Sequence, residues 1–241
     1  MKTIIHTAES RGIANHGWLN SRHTFSFAGY HNPDRMNFGV LRVLNDDIVK
    51  GGTGFGAHPH RNMEIVSIPI SGALEHLDST GRHKIIKSGE VQIMSAGRGI
   101  THSEYNASKE EDVNFLQIWA FPEKPDIEPR YEQKEYNLEV SKNNWVSVVS
   151  PDENDGALWI NQNAYFSMGE FEKEKSFDYL LKDTQHGVYL FVINGSIKVN
   201  DHVLKNRDAI GLYDFSEEKI NLRTLENSRL LLMEVPMVLQ E

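Results

Sequence analysis

The stretch GFGAHPHRNMEIVS, residues 54–67, sets two histidines one residue apart in a segment that reads as a strand. Side chains alternate across a strand, so His58 and His60 share one face and Pro59 takes the other. Carried forward without a bulge, the same count puts Asn62, Glu64, Val66, Ile68 and Ile70 on the histidine side. Val66, Ile68 and Ile70 read as a core row. The histidines are therefore expected at one end of a β-barrel, above an apolar floor, with the Glu64 carboxylate close by.

The stretch SAGRGITHSEYN, residues 95–106, repeats the spacing. His102 and Glu104 stand two apart, after a turn whose glycines are free to adopt positive φ. Two histidines from one strand and His plus Glu from another can converge on one point, giving a site of three imidazoles and one carboxylate. Imidazole suits Fe, Ni, Cu, Zn and Mn, and a carboxylate adds hard-ion character. Paired surface histidines are common, so the combination of the two pairs carries the reading. His76 and His83 flank a hairpin and are expected to be exposed. His6, His16, His186 and His202 have no partner at useful spacing. His23 and His31, on the N-terminal segment, are candidates for a pocket rim.

The whole chain sets bounds on this chemistry. It has 241 residues, 39% of them hydrophobic and 24% charged, which is globular composition. The net charge of −9 disfavours phosphate backbones, so no direct nucleic-acid role is expected. Cysteine is absent, which excludes disulfides, thiolate metal sites and a cysteine nucleophile. The opening MKTIIHTAESRG is not a signal peptide, and no apolar run reaches membrane-spanning length. A cytoplasmic location without membrane association is the expectation.

Short runs rich in Val, Ile, Phe and Tyr recur between Gly, Asn, Asp and Ser turns. Examples are HTFSFAGY, FGVLRVLN, EIVSIPI, ALEHLD, VQIMS, NFLQIWAF, VYLFVIN and SIKVN. This is the pattern of an all-β sandwich or barrel. ASKEEDVNF and SFDYLLKDT offer at most a turn or two of helix. The stretch FPEKPDIEPRYEQKEYN carries three prolines among charges and reads as a connection. It divides the chain into residues 1–135 and 136–241. A faint repeat supports two related domains, since both halves run from an apolar strand through a glycine turn (Gly72, Gly195) into an alternating strand. Aligning Gly195 on Gly72 puts Leu181, Asp183 and Gly187 where the first half has His58, His60 and Glu64. The second domain is therefore expected to carry no metal site, and to serve mainly as a structural partner of the first.

The spacing of Gly52, His58, Pro59, His60 and Glu64 resembles the first cupin motif, and that of Gly89, Gly97, His102 and Asn106 the second. More specifically, FSFAGYHNPDRMNFGVLRVLNDD, GTGFGAHPHRNMEIVSI, GALEHLDSTG, MSAGRGITHSEYN, LQIWAFPEK and PRYEQK together resemble the pirin family of bicupins. The resemblance covers most of residues 15–135. Past residue 140 it rests on the two-domain layout. It implies two β-barrel or jelly-roll cupin domains and one mononuclear metal in the first. Fe2+ is the expected metal, with Mn, Ni, Co, Cu and Zn as alternatives. The ligands it implies are His58, His60, His102 and Glu104. Most cupins instead use the first-motif glutamate, here Glu64, and the residues alone leave that choice open. The resemblance favours Glu104, with Glu64 orienting an imidazole N–H.

Bacterial members of the family are similar to quercetin 2,3-dioxygenases. The implied reaction is the opening of a flavonol by O2, with Glu104 or Glu64 taking the proton of the 3-hydroxyl. Phe25, Phe27, Phe55 and Trp119 are candidates to line the aromatic pocket, although each also suits a plain core. The alternative reading is a non-enzymatic metal-binding regulator or redox sensor acting through protein partners.

Overall fold

The strand HGVYLFVIN, His186–Asn194, has no polar alternation, and all but its last residue are buried. A strand reads this way only when both of its faces are covered. The computed structural model describes residues 1–239 and shows what covers them. The first half forms β1 (Lys2–His6), β2 (Gly12–Asn15), β3 (Leu19–His23), β4 (Leu41–Val49), β5 (Gly54–His60), β6 (Glu64–Ser71), β7 (Ala73–Asp78), β8 (His83–Lys87), β9 (Glu90–Ser95), β10 (Ile100–Asn106), β11 (Val113–Ala120) and β12 (Arg130–Glu135). The second half forms β13 (Val146–Ser150), β14 (Leu158–Trp159), β15 (Tyr165–Phe171), β16 (Ser176–Leu180), β17 (His186–Asn194), β18 (Ile197–Val199), β19 (His202–Leu204), β20 (Ala209–Tyr213), β21 (Lys219–Thr224) and β22 (Ser228–Pro236). The described residues contain no α-helix and one short 3-10 turn, Ala8–Ser10. No helix is long and apolar enough to cross a membrane.

Each half builds a seven-stranded and a four-stranded sheet. The first half orders them β12-β9-β6-β11-β4-β3-β2 and β5-β10-β7-β8. The second orders them β1-β20-β17-β22-β15-β13-β14 and β16-β21-β18-β19. The molecule is thus an all-β bicupin, each cupin a pair of sheets rather than one closed ring of strands.

The two large sheets meet across a single apolar layer. Val66, Ile68, Leu116 and Ile118 from one belong to the same buried cluster as Phe166, Met168, Tyr189, Phe191, Leu231 and Met233 from the other. The alternate residues of the second-half strands, among them Val188, Leu190, Val192, Leu230 and Leu232, fill that domain's own interior. The row Val66, Ile68, Ile70 is therefore not a floor beneath the histidines. Asn62 takes φ 50, in the left-handed region, and the chain passes there from the four-stranded sheet into the seven-stranded one. A parity count cannot be carried through that turn.

Four other expectations change. β1 pairs with β20, so the first residues of the chain belong to the second half's sheet. Arg130–Glu135 is not a bare connection but an edge strand on β9, where the preceding prolines remove no ladder bond. SFDYLLKDT begins as strand β16, and ASKEEDVNF leads into β11 without helix. Within HTFSFAGY only His23 is in a strand; the rest bends into a loop bridged at Phe27 and Tyr30.

Phe38, from the segment preceding β4, locks the halves together. Its ring lies over Gly187 and Gly211, where a Cβ would come within 2.8 and 2.7 Å of ring carbons. Only glycine leaves room for the ring there, and Tyr189 packs beside it at 5.3 Å between centroids. Phe38→Ala is expected to lower the unfolding free energy by about 3–5 kcal/mol, read by denaturant titration. A loss below about 1 kcal/mol would show that the slot contributes little.

Candidate metal centre

The site grows from β10, which lies between β5 and β7 in the four-stranded sheet. His102 pairs with His58 on one side and Asp78 on the other, and Glu104 pairs with Phe55 and His76. Residues directly opposite across a ladder share a face, so one face of this sheet gathers all of them. The register of β5 against β10 shifts between His102 and Glu104. That bulge turns Phe55 to the same face as the histidines, which strict alternation would not do. Gly97, at φ 47, starts the turn that delivers β10, and a Cβ there would collide with the Ile127 carbonyl.

Among the described residues, His58, His60 and His102 form the one group whose potential ligand atoms all lie within 4.8 Å of one another. Their ring centroids are 4.5–4.9 Å apart. His102 is 2% exposed, and its Nε2 has no hydrogen-bond partner. The Nδ1–H of His58 donates to the Gly56 carbonyl at 2.7 Å, which leaves the lone pair of its Nε2 free. Burial lowers the pKa of His60 to about 4, and His58 pushes the same way. Burial lowers His102 further, with His58 and His60 adding to it. Three imidazoles gathered at one point, two of them held neutral by burial, are the donor set a divalent metal requires.

Glu104 lies next along the face. Its Oε2 accepts from Gln117 Nε2 at 2.7 Å, and its Oε1 lies 3.2 Å from Ser67 Oγ. Ser67 Oγ also lies 2.8 Å from Gln117 Oε1. Burial pushes the Glu104 carboxyl up to about 7, against the two hydrogen bonds. A neutral carboxyl closes this ring, with Glu104 donating to Ser67, Ser67 to Gln117, and Gln117 back to Glu104. Asp47 is likewise driven up to about 7 by burial, and Asp46 and Glu104 push the same way.

Glu64 is elsewhere. Its Oε2 accepts from Ser95 Oγ at 2.8 Å and from the Asn161 backbone N–H at 3.2 Å. It therefore ties the two halves together and makes no contact with the histidines through which to orient an imidazole. Burial raises it to about 6. His76 is fully buried against the metal cluster, contrary to its expected exposure, because β7 lies beside β10 rather than at the rim. His83 is exposed and pairs with Glu75 at 2.6 Å. His31 is exposed, while His6 and His186 are buried against Tyr189 and Glu234.

Aromatic rings border the cluster. Trp119 meets His60 edge-on at 4.9 Å, and Phe27 meets Trp119 at 5.3 Å. Phe27, Phe55, Trp18, Tyr30 and His23 line a cavity of about 650 Å3. Phe25 is instead packed in the layer between the halves. The sequence does not single out Ser67 or Gln117 and its reading places His76 at the surface, because spacing within a strand does not tell which sheet the strand joins.

A bicupin whose first domain collects three inward imidazoles at one point is a metal-binding cupin. The chain belongs to the pirin family. Its residues 5–120 match the Pirin family model, and residues 147–235 match the Quercetinase C-terminal cupin domain. It is 40% identical to the quercetin 2,3-dioxygenase of Escherichia coli K12, across 96% of this chain and 97% of that one. It is 37% identical to a pirin-like protein of Caulobacter vibrioides, across 92% and 95%. The structure of the bacterial pirin YhhW from Escherichia coli in complex with nickel(II) superposes with a TM-score of 0.92, at 38% identity, covering 98% of this chain and all of that one. The histidine cluster and that nickel complex together support a divalent metal.

Two outcomes are expected. Titration of Ni2+ into chelator-treated protein should give one site per chain, lost in His102→Ala with the circular dichroism unchanged. Full stoichiometry in that variant would contradict the site. The second concerns Glu104 in the metal-free protein. Its folded pKa lies above its unfolded value, so the stability it contributes is complete below about pH 4.5 and is lost as pH rises through about 7. Glu104→Gln, neutral throughout and able to keep both hydrogen bonds, should stabilise metal-free protein at pH 8 by about 1–3 kcal/mol. Asp47 and Glu64 give slopes of the same sign, so the pH dependence should shrink without vanishing. An unchanged or lower melting temperature at pH 8 would contradict this account.

Proposed function

We propose that this protein is a metal-dependent dioxygenase that opens a flavonol such as quercetin with O2. The observation that carries the reading is the meeting of His58, His60 and His102 at one point, with Trp119 and Phe27 linking His60 to an aromatic-lined cavity. The names of its relatives agree with it. His58, His60 and His102 would hold the metal, iron by the family resemblance, with Glu104 as the fourth ligand. When bound, the metal supplies a Lewis acid that favours the deprotonated hydroxy-ketone of the substrate.

The chain's own groups do the rest. The cavity walls of Trp18, Phe27, Tyr30 and Phe55 hold a flat aromatic molecule, and about 650 Å3 is the size of a small-molecule site. Trp119, edge-on to His60, and Phe27 behind it form an apolar wall on that side. Burial brings the Glu104 carboxyl to about 7, and in its ionised form, held in place by Gln117, it would take the proton of the 3-hydroxyl. Glu64 is engaged by Ser95 and Asn161 and has no part in this step.

Metal-loaded protein should consume quercetin and O2 together and release carbon monoxide, without NADH or flavin. A flavone lacking the 3-hydroxyl should be left intact, because it has no proton for Glu104 to take. If both compounds are untouched, or both are oxidised equally, the dioxygenase reading fails.

A further inference from the structure

The metal cluster has a buried polar chain behind it that no ligand role explains. His76 is fully buried and Asp78 is 6% exposed. They stand two apart on β7, on the same face as His102 and Glu104 of the neighbouring strand. His76 Nε2 lies 3.1 Å from Asp78 Oδ2, and His76 Nδ1 lies 3.4 Å from His102 Nδ1. Asp78 also accepts from the Thr80 hydroxyl, from the Thr80 N–H at 2.9 Å and from Arg82 Nη1 at 3.2 Å. Arg82 lies over the Tyr131 ring, and Tyr131 packs on His76 at 4.8 Å. Every member is fixed by a neighbour.

Two imidazole nitrogens facing each other allow only one to carry the proton. If His76 carried it on Nδ1, its Nε2 lone pair would face the Asp78 carboxylate. His102 would then hold a buried Nε2–H with no acceptor, which costs about 1–3 kcal/mol. The opposite assignment satisfies every N–H. Asp78 accepts from His76 Nε2–H, His76 Nδ1 accepts from His102 Nδ1–H, and His102 Nε2 is left as a bare lone pair. A doubly protonated His76 would also donate Nδ1–H to His102 and leave the same His102 Nε2–H without an acceptor. Burial alone would raise Asp78, but the bonds from Thr80, His76 and Arg82 outweigh it and hold it at about 2.

The geometry points to Asp78 and His76 as positioning residues that fix His102 in the tautomer whose Nε2 faces the metal. The inference rests on the metal reading of His58, His60 and His102. A carboxylate that orients a ligand through an intervening histidine acts as a directly bonded partner does, and loss of such partners weakens metal binding about 10–100-fold.

Asp78→Asn separates this from packing. With its oxygen kept by Thr80, the asparagine turns its NH2 toward His76, gives up the bond from Arg82 Nη1, and reverses both tautomers. Ni2+ affinity measured by competition with a chelator should fall about 10–100-fold, while the circular dichroism of metal-free protein stays that of the folded wild type. His76→Phe, which leaves His102 Nδ1–H without an acceptor, should fall by a similar factor. His76→Gln keeps a donor and an acceptor and should bind more tightly than His76→Phe. Nitrogen-15 NMR of histidine-labelled, metal-free protein should show His102 protonated on Nδ1 in wild type and on Nε2 in Asp78→Asn. Wild-type affinity in both Asp78→Asn and His76→Phe, or an unchanged His102 tautomer in Asp78→Asn, would overturn the inference and leave the metal site standing. Undiminished Ni2+ binding in His102→Ala would instead overturn the metal reading itself.

Discussion

Three neutral imidazoles can present lone pairs to one point only if each carries its proton on the other nitrogen, and two of the three have a fixed acceptor for that proton. That constraint organises this molecule. His58 uses Nδ1 on the Gly56 carbonyl, and His102 uses Nδ1 on His76. Both solutions depend on strand register. The bulge of β5 against β10 places Gly56 behind His58, and the pairing of β7 with β10 brings His76 behind His102. An ion at this point would be held by a sheet whose alignment is set before any ligand arrives, which is how a rigid element gives a site its precision.

The two halves use one architecture for different ends. In the second, the inward residues are Val188, Leu190, Val192, Ile210 and Leu212, an ordinary apolar fill. In the first, the same kind of interior contains Asn45, Asp47, Gln92, Gln117 and Glu104 as well as the histidines. Burying such groups costs stability, and several remain without partners, among them Asn45 Oδ1 and Asp47 Oδ1. The apolar layer between the seven-stranded sheets offsets that cost, because the first half adds one face of its large sheet to the second half's core. The second half also keeps a buried carboxylate, Glu234. It is satisfied by Tyr179 Oη at 2.9 Å and by the N–H groups of Lys182 and Asp183. That carboxylate anchors a loop with bonds the chain itself supplies.

Much of this was legible in the sequence. The strands β4, β6, β9, β11 and β17 fall on runs marked by their β-branched and aromatic content. The pairs His58/His60 and His102/Glu104 were marked by spacing alone. What alternation could not carry was the passage between sheets. Glu64 was placed with the histidines because parity was counted through Arg61–Met63, where Asn62 turns the chain into another layer. His76 was expected at the surface because a hairpin was expected to stand free, although His76 and Asp78 repeat the two-residue spacing of the metal pairs. The pairing of β1 with β20 spans almost the whole chain and leaves no local signal.

X-ray absorption at the metal edge of the Ni2+-loaded protein tests the central claim most directly. The account predicts imidazole scattering from three histidines, His58, His60 and His102, in a shell of nitrogen and oxygen donors. A first shell dominated by water and carboxylate oxygens, with one imidazole or none, would contradict it.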